Sequence, residues 1–226
     1  WSWLWPTMSE AVVLSWDRGT LVLEPSAPFV DTEPPPGFLH DPRTVGRLRA
    51  PGLVYRRALG HLIRAGFEVD DQARAYTEVD AVCRREREPF PHQAEALDAW
   101  RLGGRRGVVV LPTGSGKSYV AEMAIADVGR STLVVSPTID LMMQWINLLS
   151  ASFGEERVGG LGGGMNDVRE LTATTYDSFY LHMDRLGDRF GLIVFDECHH
   201  LPGASYSQGA ECALAPFRLG LTATPE

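Results

Sequence analysis

Residues 111–118 read LPTGSGKS, and the position of that octapeptide between two hydrophobic rhythms decides the fold class. Before it, residues 107–111 (GVVVL) form an apolar run of strand length. After it, Val120, Met123, Ala124 and Val128 recur at helical spacing. Strand, glycine-rich turn and helix, in that order, is the context a phosphate-binding loop requires. Gly114 and Gly116 let the backbone curl so that successive N–H groups face inward, and the helix that follows adds its N-terminal partial positive charge. Lys117 supplies a mobile ammonium for the outer phosphates, and the Ser118 hydroxyl can ligate magnesium. Thr113, Gly114, Ser115, Gly116, Lys117 and Ser118 are therefore the candidate cofactor-binding residues. The plain alternative is a strand-to-helix turn with an incidental lysine.

Composition bears on that alternative. Of the 21 basic residues, 20 are arginine, and the one lysine is Lys117. A chain this biased toward arginine keeps lysine where a compact ammonium must enter a tight loop that a planar guanidinium fits poorly.

From residue 90 onward the pattern alternates strands and helices, which implies a mainly parallel sheet with helices on both faces. Helix 91–100 precedes the loop; strand 132–136, helix 138–149, strand 171–174, helix 177–186, strand 192–195 and a last strand 218–221 follow it. Residues 158–164 (VGGLGGG) do not match a dinucleotide fingerprint, because Met165 occupies the position of its last glycine, and they read as a weak strand and loop. Residues 192–199 (LIVFDECH) put two acids where a buried parallel strand emerges at its carboxyl end, the edge at which ligands bind in such sheets. Asp196 is placed to hold magnesium and Glu197 to orient and deprotonate an attacking water, so Lys117, Asp196 and Glu197 are the candidate catalytic set, with Ser118 and Asp196 as the metal ligands. A transition-metal site built from Asp196, Cys198, His199 and His200 is disfavoured, because adjacent residues at a strand end point different ways. His199 is better placed to hydrogen-bond across the site, and residues 219–225 (LGLTATP) offer the Thr222 and Thr224 hydroxyls as coupling groups.

The first 88 residues read as a separate small α+β domain. Residues 12–16 and 20–23 form a hairpin; residues 25–42 are proline-rich and read as an extended connection without strand or helix. No acidic residue falls between Pro42 and Phe67, whereas Arg43, Arg47, Arg49, Arg56, Arg57 and Arg64 do. Residues 54–65 form a helix with Tyr55, Leu59, Leu62 and Ile63 on one face and Arg57, His61 and Arg64 on another. That basic face suits DNA phosphates, or else it is a solvated face of an arginine-rich protein. Residues 80–88 read as a linker, which divides the chain into 1–88 and 89–226. Residues 1–7 read as lying upstream of a natural start at Met8.

The net charge of −8 excludes a simple nucleic-acid-coating protein, though not a motor that grips one strand locally. Three cysteines without CxxC spacing fit a reducing compartment, and apolar runs of strand length predict no membrane span.

GSGKS, SPTIDLMMQW, TTYDSF, DECHH and LGLTATP, in this order, resemble motifs I, Ia, Ib, II and III of a superfamily 2 helicase. DECHHLPGASY followed by APFRLGLTATP is most similar to the XPB family, whose small domain ahead of the motor recognises damage. The resemblance implies a RecA-like P-loop NTPase domain using ATP and Mg2+. It further implies that Gln93 reads the adenine and that Pro137, Thr138, Thr175, Tyr176 and Ser178 contact the DNA backbone. Simple N-capping by Thr138 and Asp177 is the alternative for those two turns. The implied activity is 3′–5′ unwinding or translocation on DNA, at single strands and duplex junctions, in excision repair or promoter opening. A second RecA-like domain is expected beyond Glu226, with a partner nuclease as a further expectation and a cytoplasmic, nucleoid-associated or nuclear location according to the cell type. A restriction or remodelling motor, or a module that binds ATP without hydrolysing it, are the rival readings.

Overall fold

The computed structural model describes residues 11–29, 33–84, 87–201 and 203–224; the reading of residues 1–7 and Met8 lies outside the described residues. β1 (Ala11–Asp17) turns into β2 (Thr20–Glu24) through Arg18 and Gly19, both at positive φ (45° and 82°), the geometry a two-residue hairpin turn needs. The pair is antiparallel with Leu14 opposite Leu23. β3 (Leu39–His40) and β4 (Leu48–Pro51) continue the sheet, α1 (Tyr55–Arg64) crosses it, and β5 (Glu68–Gln72) returns parallel to β1, giving the order β3-β4-β2-β1-β5. Leu14, Leu21, Leu23, Leu48, Tyr55, Ala58 and Leu62 close its core. Ile63, expected on the apolar face of α1, is 60% exposed. The proline-rich connection is also corrected: Leu39 and His40 pair with Arg49 and Leu48.

The second lobe runs α2 (Pro91–Leu102), β6 (Arg106–Val110), α3 (Lys117–Val128), β7 (Thr132–Ser136), α4 (Ile139–Phe153), β8 (Val158–Gly162), β9 (Met165–Asp167), β10 (Leu171–Thr175), α5 (Tyr176–Leu186), β11 (Leu192–Asp196), α6 (Ala204–Cys212) and β12 (Phe217–Thr222). Its sheet has the order β6-β12-β11-β7-β10-β8-β9, parallel except for β9. This is the mostly parallel α/β architecture with flanking helices that the sequence implies. β7 and β10 are buried along their whole length, because helices cover both faces and leave no solvent side to alternate toward. Trp100 on α2 donates its indole N–H to the Arg218 carbonyl of β12 at 2.9 Å, and the Ser152 hydroxyl of α4 bonds the buried Glu122 carboxylate of α3. Every parallel strand therefore ends at one common edge of the sheet, with its loop facing the same side.

The lobes pack directly. Leu214, after α6, is buried in the first lobe's core, and the Arg56 guanidinium bonds the Gly104 carbonyl. Gly52 approaches so closely that a Cβ there would sit 2.2 Å from the Cys212 carbonyl oxygen.

Candidate functional site

The loop between β6 and α3 meets the requirements of an oxyanion cradle. Gly114 and Gly116 have φ of 81° and 80°, a region costly for any residue with a Cβ. Gly116 is also the N-cap of α3 and brings no side-chain acceptor, so the first N–H groups of a 12-residue helix open toward the loop. The Lys117 ammonium donates to the Leu111 carbonyl at 3.2 Å, resting on its own loop. Gly114, Gly116, Lys117, Ser118 and Asp196 line a single cavity of about 460 Å3, whose far wall is Leu141, Gln144, Trp145 and Leu148 of α4. Ser115 turns away, its hydroxyl on the Pro112 carbonyl at 2.6 Å, and Thr113 is exposed beside it.

Across the cavity, Asp196 ends β11. Burial pushes its carboxyl above the usual range, opposed by the Trp145 indole N–H, which donates to Oδ2 at 2.8 Å. The Glu197 amide donates to Oδ1 at 3.1 Å. A half-buried carboxylate with two donors and an ammonium sharing its cavity suits a divalent cation and the polyphosphate it accompanies, so the donor set fits magnesium. Glu197 itself is left-handed (φ 48°, ψ 55°), one of three described non-glycine residues at positive φ. Such backbone costs on the order of 1–3 kcal/mol and persists where its surroundings require it. The turn separates the two acids, and Glu197 Oε2 lies 3.6 Å from His199 Nδ1, which in turn is 3.2 Å from the Thr222 hydroxyl. Glu197, His199 and Thr222 thus form a polar chain from β11 to β12. Thr224 joins it through its backbone: its carbonyl accepts from the Thr222 hydroxyl at 3.1 Å.

Gln93 joins α2 to the phosphate loop: its Oε1 accepts from the Phe90 amide at 3.0 Å and its Nε2 donates to the Ser115 carbonyl at 2.9 Å. Gln93 and Phe90 line a second cavity of about 700 Å3 beside Gly114, Ser115 and Tyr119, and there the Phe90 ring, 65% exposed, stacks on His92 at 5.8 Å. The sequence reading did not single out Phe90, although an exposed aromatic just ahead of Gln93 was the available signal.

Two helix starts lie side by side on the same sheet edge, since β7 and β10 are neighbours and Thr175 is opposite Ser136. Thr138 caps α4, accepting from the Leu141 amide at 3.2 Å, and Pro137 precedes it. Thr175, and not Asp177, caps α5, accepting from the Ser178 amide at 3.3 Å and donating to the Ser178 hydroxyl at 3.1 Å; Asp177 takes the Tyr206 hydroxyl instead. The Tyr176 side chain is 2% exposed and donates to the Asp196 carbonyl at 3.1 Å, so its ring lies in the core and what it can offer a phosphate is its backbone N–H at the start of α5.

Half of the basic segment is neutralised. Arg43 and Arg49 pair with Asp41, Arg49 also with Asp17, and Arg47 with Glu24. The Arg43 amide and then the Arg49 guanidinium hold Asp41 down at about 2. Arg57 and Arg64 remain exposed and, with Arg56 and the second lobe's Arg106, line an interlobe cavity of about 630 Å3. Burial, then Arg56 and Arg57, hold Arg106 below the usual arginine range. No three metal-ligating side chains cluster among the described residues.

Residues 86–226 match the family described as type III restriction enzyme, res subunit, and residues 14–73 match the Xeroderma pigmentosum group B helicase damage recognition domain. The chain is 38% identical over 190 residues to the DNA 3'-5' translocase XPB2 of Sulfurisphaera tokodaii, covering 78% of this chain and 43% of that one. It is 36% identical to the DNA 3'-5' helicase XPB of Mycobacterium tuberculosis over 143 residues, 59% of this chain and 26% of that one. The chain therefore spans less than half the length of these relatives. T4 UvsW has the same fold, with a TM-score of 0.56 at 16% identity over 95% of this chain and 53% of that one.

Proposed function

Because the chain belongs to the XPB family of superfamily 2 DNA helicases and translocases, we propose that it provides the ATP-hydrolysing site and part of the DNA track of a 3′–5′ translocase. The observation that carries the reading is the shared cavity of Lys117, Ser118 and Asp196. The backbone N–H groups at 114–118 bind the phosphates, and Lys117 leaves the Leu111 carbonyl to pair with the outermost one. Ser118 and Asp196 would hold magnesium, which when bound would supply positive charge against the triphosphate. Glu197 accepts the proton of the attacking water, with its left-handed backbone aiming the carboxylate past Asp196. His199 and Thr222 link that carboxylate to β12, giving hydrolysis a route to the neighbouring strand. Phe90 offers a ring for the base to stack on. Free N–H groups at the starts of α4 and α5, framed by Pro137, Thr138, Thr175 and Ser178, receive DNA phosphates, and Arg57 and Arg64 extend the track onto the first lobe.

Lys117→Ala in the full-length protein is expected to lower DNA-stimulated ATPase by on the order of 10²–10³-fold, the loss seen when one preorganised charge-stabilising group is removed. Retained turnover would refute the assignment. A restriction translocase is the second reading, favoured by the match over residues 86–226, whereas the match over 14–73 favours repair. A plasmid-cleavage assay on the full-length protein separates them, since only the restriction reading predicts ATP-dependent cutting of duplex DNA.

A further inference from the structure

We propose that Trp145 is a positioning residue for the magnesium ligand and transmits the grip of α4 on DNA to the metal site. The inference rests on the reading of Asp196 as that ligand and names the group that sets its orientation.

Both carboxylate oxygens of Asp196 are already held, Oδ2 by the Trp145 indole at 2.8 Å and Oδ1 by the Glu197 amide at 3.1 Å. Each oxygen carries two lone pairs, so one donor apiece leaves one lone pair apiece for a metal or its water. An indole N–H donates and never accepts, so this bond fixes one orientation of the carboxylate and offers no alternative. Trp145 is 4% exposed and packed in the motor core, which makes the donor's position that of α4 itself. Trp145 stands seven residues after Thr138, two turns or about 10 Å along the same face. One rigid helix therefore carries the phosphate-receiving turn at its start and the hold on the metal ligand at its middle. Leu141, Gln144 and Leu148 of that helix wall the same cavity, so any shift of α4 reshapes the site and moves the indole together. A side-chain contact at about 3.6 Å is no longer a hydrogen bond, so the 2.8 Å contact is lost when the indole moves by under ~1 Å or tilts well off line.

The test uses the full-length protein with Trp145→Phe, and with Trp145 replaced by 3-benzothienylalanine, which keeps the bicyclic shape and substitutes sulfur for the N–H. Affinity for a fluorescent ADP is titrated with magnesium without DNA, and ATP turnover is compared with and without DNA. The expected result is a magnesium midpoint raised about 10-fold or more, the usual effect of losing a partner that orients a metal ligand. Nucleotide affinity in EDTA stays unchanged, and the stimulation by DNA falls toward onefold. The isostere keeps the proposal testable if the phenylalanine variant misfolds. A wild-type midpoint, or a raised midpoint with wild-type DNA stimulation, overturns the proposal. Wild-type protein that binds nucleotide without any response to magnesium would instead sink the reading of Asp196 on which it rests.

Discussion

The two sheets differ in what they do with charge. In the first lobe Asp17, Glu24 and Asp41 each meet an arginine of β4 or of the turn before it, and the sheet's polar groups are consumed in holding the fold. In the second lobe Lys117 rests on a backbone carbonyl, Asp196 has donors but no cation at contact, and Glu197 is held in a strained turn. Charges already paired mark structure; charges held in place short of pairing mark a site prepared for something that arrives. The paired charges of the first sheet should therefore answer substitution in stability, and the unpaired charges around the loop of the second in turnover.

The largest contrast is expected at Glu197. Glu197→Gln in the full-length protein should lower hydrolysis by about 10²–10⁴-fold, the range of a positioned general base, while nucleotide affinity and Tm stay at wild-type values. Single-turnover assays and equilibrium binding check it, and weakened binding would mean the residue does something else. Gly52→Ala probes the opposite response at the lobe contact. Its new methyl would meet the Cys212 carbonyl at 2.2 Å and the Trp16 ring at 2.7 Å. Overpacking of this kind costs typically about 1–3 kcal/mol, read from the urea midpoint. The smallest effect belongs to Asp41. With its carboxyl held at about 2 against an ordinary 3.8, it stabilises the fold fully above that ordinary value, and the contribution is lost as pH falls through the folded one. Asp41→Asn should therefore flatten the stability profile between about pH 4 and 2 and leave ATPase untouched.

What the sequence disclosed follows the same division. The motor was legible because its signals are local: apolar strands followed at once by the residues that use their ends, as at 107–118 and 192–199. What stayed hidden depends on distance or direction. Trp145 and Asp196 lie 51 residues apart, and nothing in the spacing announces their bond. β5 (EVDDQ) has no apolar alternation because it is an edge strand carried by pairing with β1. α6 (ASYSQGAEC) lacks a helical apolar stripe; its end is held by the half-buried Arg218 guanidinium on the carbonyls of Ala210 and Ala213. The direction of the Tyr176 ring was hidden because one residue of shift at the start of α5 decides whether it meets solvent or core. The basic run looked stronger than it is because its acidic partners stand up to 32 residues away.

The central claim is that Lys117 and Asp196 act on one magnesium-bound triphosphate, and a double-mutant cycle on kcat/KM for DNA-stimulated ATP hydrolysis tests it most directly. Lys117→Ala and Asp196→Ala are compared singly and together in the full-length protein. Groups serving one transition state are strongly non-additive, so the double variant should be scarcely slower than the worse single one. Losses that multiply would place the two residues in separate events and contradict the account.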